Sequence, residues 1–233
     1  MTSNLGCVGL GVADSQALAD LLADLIPTST ATRQEDGSAL YVWSDVSGAR
    51  LTITTDRRGA IDDVTPSYDG QQGAELSGLV ALHHTVVSAD LLENGEPVAE
   101  ILVEVLAPGP VPSSGRAVVT AFGLDLGIHQ DEGERGEDAL SFAAFGGEEE
   151  PGPVAQLTGT VLSCRTATVG ATGQTFHAAR VHTVGMELDL CLAAEDHEHP
   201  PVAGDVVAGL VYLVAEVERP SPRRPGWLGR RDR

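Results

Sequence analysis

The sequence predicts an α+β fold that is mostly β: an N-terminal βαβββ module followed by one or two small antiparallel β-barrels. Three observations carry that prediction. A single segment shows helical periodicity, with Leu18, Leu21, Leu22 and Leu25 spaced as one apolar stripe. Apolar and polar residues alternate with a period of two through most of the rest, punctuated by 27 glycines and 13 prolines. Three segments of the first half also match three of the second in the same order.

The elements of the first module follow in order. Leu5 to Val12 is small and apolar, consistent with an opening strand. Asp14 and Ser15 are N-cap residues for the helix carrying the leucine stripe, and Pro27 ends that helix. Two strands then alternate, Ala39 to Trp43 and Leu51 to Thr55, with turns at Asp45-Val46-Ser47-Gly48 and Arg57-Arg58-Gly59. A third strand, Ala60 to Val64, completes a meander packed on the helix.

This pattern, with Gly9-Leu10-Gly11-Val12-Ala13-Asp14-Ser15 leading into the helix, resembles one glyoxalase-like (vicinal-oxygen-chelate) module. The resemblance implies the fold. The family's metal chemistry needs a histidine ligand on these strands, and none occurs before His83. A dinucleotide fingerprint is also incomplete, because Asp14 stands where the third glycine belongs and its carboxylate would meet the pyrophosphate.

The matched segments come next. Ala74 to Val80 pairs in character with Ala155 to Val161, Leu102 to Pro108 with Leu188 to Ala194, and Gly115 to Val119 with Gly204 to Ala208. Short insertions in loops account for the drift in spacing. In the second unit the expected strands are Gln156–Cys164, Thr175–Thr183, Met186–Ala193 and Asp205–Glu216. Met186, Leu188, Leu190 and Leu192 alternate there with Glu187, Asp189 and Cys191, as in a half-buried strand. Short strands with glycine turns and a closing strand resemble an OB-like small barrel.

The organisation expected is therefore a βαβββ module over 1–70, a barrel-like unit over 71–130, an acidic linker over 131–153 with one embedded strand or turn, an OB-like unit over 154–218, and an Arg/Pro-rich tail over 219–233. The net charge is −20. The tail holds Arg219, Arg223, Arg224, Arg230, Arg231 and Arg233 against Asp232, so the body is more acidic still. Pro220, Pro222 and Pro225 within it argue for a disordered segment.

Composition also limits the chemistry. The chain contains no lysine, which excludes a P-loop and any Schiff-base mechanism; the Ala/Gly/Arg bias resembles that of proteins from GC-rich bacterial genomes. An acidic body repels phosphate backbones, so nucleic acid is not an expected partner. No apolar run is long enough to span a bilayer and no secretory leader is apparent, so a cytoplasmic protein away from membranes is expected. Cys7, Cys164 and Cys191 are too few for a disulfide framework and read as packing residues.

No catalytic residues stand out and no cofactor is expected. The densest titratable cluster is Glu195-Asp196-His197-Glu198-His199, in which His197 and His199 are the candidate metal ligands. Pro200-Pro201 directly after it forbids an HExxH helix, and a solvated acidic loop is the simpler reading. His83-His84 and His177/His182 each point to opposite faces of a strand. The function expected is a non-enzymatic protein-binding or assembly role through an acidic surface, such as an inhibitor or immunity protein for a basic partner, with self-association as a further mode. A metal-dependent or small-ligand-binding enzyme of the glyoxalase-like class is the alternative.

Overall fold

A computed structural model of the chain describes residues 4–83, 85–106, 111–129, 139–142 and 152–218. The acidic stretches of the expected linker and the whole Arg/Pro-rich tail lie outside these, as does His84.

The expected opening strand is not formed. Gly6–Val8 is instead a single 3-10 turn, and Gly9 follows it in the left-handed region at φ 70°. Glycine is needed there on two counts: that φ, and a Cβ that would meet Val169 Cγ2 at 2.8 Å. The turn buries Cys7, Val8 and Leu10 without a strand partner. Two side chains from the loop at 169–174 hold its backbone: Thr172 Oγ1 donates to Gly9 O at 2.6 Å, and the Gln174 side-chain amide exchanges two bonds with Gly11.

Helix α1, Ser15–Leu25, forms where the leucine stripe placed it. Asp14 caps it by accepting from Ala17 N at 2.9 Å, and Ile26–Thr28 continues as a 3-10 turn around Pro27. Four strands follow: β1 (Thr30–Arg33), β2 (Ala39–Ser44), β3 (Ala49–Thr55) and β4 (Ile61–Tyr68). They make an antiparallel sheet in sequence order. The module therefore runs αββββ, not βαβββ. β1 is exposed along its whole length and shows no alternation, so its pairing with β2 and not its sequence makes it a strand.

The remaining strands are β5 (Ala74–His83), β6 (Val86–Glu93), β7 (Glu96–Val105), β8 (Ser114–His129), β9 (Ala139–Phe142), β10 (Val154–Thr168), β11 (Thr175–Thr183), β12 (Met186–Ala193) and β13 (Val206–Val217). Their pairings close into two rings. One runs β5–β6–β7–β13–β8 and back to β5; the other runs β10–β11–β12–β8–β13 and back to β10. The long strands β8 and β13 pair antiparallel with each other and belong to both rings. In each ring the only parallel contact is the symmetric one, β7 with β13 and β12 with β8. The segments matched in sequence fall on β5 and β10, β7 and β12, β8 and β13, which occupy corresponding places.

One apolar cluster runs through both rings, including Leu76, Leu91, Val103, Val119, Leu157, Val181, Leu190 and Leu213. Each such leucine contributes about 1.5–3 kcal/mol by leaving water. A second cluster joins α1 and the four-stranded sheet to the ring wall: Leu22, Leu25, Trp43, Leu51 and Ile53 pack with Phe122, Phe176 and Cys191. β12 consequently departs from the expected half-buried pattern. Asp189 and Cys191 are buried as well as the leucines, because the linker after β4 and the N-terminal turn cover that strand's second face.

Candidate interaction cleft

A cleft runs beside β2, β3 and β4, between the four-stranded sheet and one end of the double ring. Leu51 and Ile53 point into the core, so by strand alternation Thr52 and Thr54 point the other way, into the cleft. Three adjoining pockets of about 510, 660 and 920 Å³ share lining residues along it. Leu40, Thr52 and Leu106 join the first to the second; Asp36, Ser38, Thr54, Asp63 and Thr85 join the second to the third. The floor at the first pocket is apolar, from Leu40, Val42, Leu106, Val118 and Val217.

Carboxylates dominate the polar lining. Glu35, Asp36, Asp63 and Glu104 face the middle pocket, Asp56 and Asp62 the far one, and Asp69, Glu216 and Glu218 the near one. Arg57 and Arg50 are the cations on that lining, and Arg50 is already paired with Glu216 at 2.8 Å. The exposed Asp36 carboxyl is held below its usual range by the Ser38 hydroxyl and amide. Low-dielectric walls around one sign of charge focus the field there.

Glu104 anchors the wall. It is 7% exposed and lies within hydrogen-bond reach of three hydroxyls: Thr65 Oγ1 at 2.9 Å, whose one proton is shared with Asp63 Oδ2 at 2.8 Å, and Thr85 Oγ1 at 3.1 Å on Oε1, and the Tyr212 hydroxyl at 2.8 Å on Oε2. Burial, and then the neighbouring Glu104 charge and hydrogen bond, push the Tyr212 hydroxyl well above the usual phenol range. Thr85 and Tyr212 hold the carboxylate from within the ring, at the β5–β6 turn and β13, and Thr65 on β4 ties it to the small sheet. Two further clasps do the same. Arg165 donates to Tyr68 Oη at 2.8 Å and Ser47 O at 2.6 Å. Arg180 bonds Asp189 at 2.9 Å and reaches the Gln71 carbonyl at 3.0 Å, while Gln71 N donates to Asp189 at 2.9 Å. Burial raises the Asp189 carboxyl despite its hydrogen bonds to Gln71 and Arg180.

His197 and His199 lie elsewhere, lining a separate pocket of about 510 Å³ with Ile128, Glu198 and Asp205. Burial lowers His197, and burial followed by the His197 charge lowers His177. His177 sits in β11 with Nδ1 2.9 Å from Thr166 Oγ1. Among the described residues no three His, Cys, Asp or Glu side chains are grouped to hold a metal ion. Burial pushes the Cys7 thiol up to about 12 and raises Cys191 and Cys164 too, which keeps them as unreactive thiols at neutral pH. Among the described residues no helix is long and apolar enough to cross a membrane.

The sequence singled out none of the cleft residues, because they come from distant elements and obey no spacing. One signal was present: Glu104 is a lone charge in the run Ile101-Leu102-Val103-Glu104-Val105, where a buried strand tolerates a carboxylate only with partners. Compared with known proteins, the chain matches no family model, no curated protein and no solved structure.

Proposed function

We propose that this is a non-enzymatic protein-binding or assembly protein that engages a basic partner through its acidic surface, as an inhibitor or immunity protein does, with the cleft as the point of contact. One observation carries the reading: an apolar-floored cleft whose rim is lined by carboxylates and by few cations. Apolar floor and charged rim are the parts that give affinity and steer encounter. The central pocket of about 660 Å³, with Glu104 on its wall, favours a small-ligand site as the second reading. The two symmetric rings also support reading each as an OB-like barrel that exchanges one strand with its duplicate.

The test is binding of a fluorescent nona-arginine peptide, followed by anisotropy at several salt concentrations. Glu35→Gln/Asp62→Asn/Asp63→Asn removes three exposed cleft charges. Glu75→Gln/Glu93→Gln/Glu96→Gln removes three exposed charges away from the cleft, two of them at the opposite ends of β6 and β7. The reading expects at least a fivefold loss for the first variant and less than twofold for the second. Equal losses would reduce the interaction to unspecific charge and overturn it.

A further inference from the structure

We infer that the cleft has an occupant in cis: the Arg/Pro-rich segment 219–233 of the same chain binds along it and competes there with basic partners. This rests on the proposed reading of the cleft and adds its regulation. The chain leaves the described fold at the mouth of the cleft, since Val217 and Glu218 themselves line the near pocket. Residue 219 therefore starts where an occupant must start.

Charge and composition match along the route. The segment carries six arginines and one aspartate, opposite in sign to the rim. Its large apolar residues, Trp227 and Leu228, have a counterpart in the apolar floor at Leu40 and Leu106. The prolines reduce the number of conformations lost on docking, which lowers its entropic cost. Length is sufficient as well. Fifteen residues in an extended or polyproline form span roughly 45–50 Å. The cleft follows β2, whose six residues cover about 20 Å. A tethered segment also acts at millimolar effective concentration, so weak contacts fill the site.

The test uses the full chain and the fluorescence of Trp227, isolated as the difference between wild type and Trp227→Phe; Trp43 is buried in the core and common to both. At low salt Trp227 emission is expected to be blue-shifted and at least threefold less quenched by acrylamide than at 1 M salt. Glu35→Gln/Asp62→Asn/Asp63→Asn is expected to release it at low salt, and Glu75→Gln/Glu93→Gln/Glu96→Gln is not. A tail variant with Arg223, Arg224, Arg230 and Arg231 changed to Gln is expected to bind nona-arginine at least threefold more tightly than wild type. Free quenching of Trp227 at low salt, with unchanged peptide binding in the tail variant, overturns the inference and leaves the proposed function standing. Release of Trp227 by both triple variants equally overturns the cleft as its site. Protection of Trp227 that the cleft triple alone removes, in a protein whose tail variant binds no nona-arginine, keeps the docking and overturns the basic-partner reading instead.

Discussion

Removing the Tyr212 hydroxyl measures what holds Glu104 in place between β7 and β13. Tyr212→Phe keeps the ring's packing and deletes the 2.8 Å bond to Glu104 Oε2. A hydrogen bond to a charged acceptor contributes about 1.5–3 kcal/mol, and this one is shielded, since Glu104 is 7% exposed. A loss of about 2 kcal/mol lowers the melting temperature of a chain of this size by roughly 4–8 °C. Glu104→Gln removes the charge at nearly constant volume, and a double-mutant cycle with Tyr212→Phe should return a coupling of about 1–2 kcal/mol. Tyr41→Phe, outside this network, is the control. The pH profile supplies a second readout. The Tyr212 hydroxyl titrates above its unfolded value of 10.0, so its contribution is complete below that pH and is lost as pH rises toward the folded value. Wild type should therefore lose stability above about pH 10 more steeply than Tyr212→Phe. Additive effects in the cycle, with Tyr212→Phe melting as Tyr41→Phe does, would refute the account of Glu104 as the shared anchor.

Four more outcomes are expected. Asp14→Ala removes the cap on α1 and should cost about 1 kcal/mol in chemical denaturation. Gly73→Ala would drive a Cβ into the Glu187 carbonyl and the Arg180 guanidinium, and a loss of about 1–3 kcal/mol should appear by the same assay. Cys7 titrates at about 12 in the fold against 9.0 in its absence, so its contribution is present below pH 9 and disappears between 9 and 12; Cys7→Ala should flatten that part of the stability profile. Zinc should leave the melting temperature unchanged in wild type and in His197→Ala/His199→Ala alike, because no third ligand is grouped with the two histidines among the described residues; a zinc-dependent rise that the double substitution abolishes would make them ligands.

Periodicity made α1 and the strands of the second half legible. Thr175–Thr183 and Met186–Ala193 form on the expected residues, since tight turns at Gly173 and Gly185 bound them. The first strand failed because Leu5 to Val12 is apolar for a different reason: it is a buried turn, and composition alone cannot separate the two. β1 failed for the opposite reason, since Thr30-Ala31-Thr32-Arg33 has no buried face to write into the sequence. The cleft was illegible because its walls are assembled by tertiary contacts among β2, β3, β4, β7 and β13. Glu104 within an apolar strand marks the place without naming its partners.

Sharing β8 and β13 between two rings has a consequence for how the protein is made. A ribosome delivers β5 to β8 first, yet neither ring has its full complement until β13 emerges after β12. At typical synthesis rates that wait is on the order of 5–20 s, during which β8 offers unpaired edges. Such long-range closure is slow on its own account. Asp125 is exposed on β8, and a charge on an exposed strand disfavours pairing with a neighbour copy.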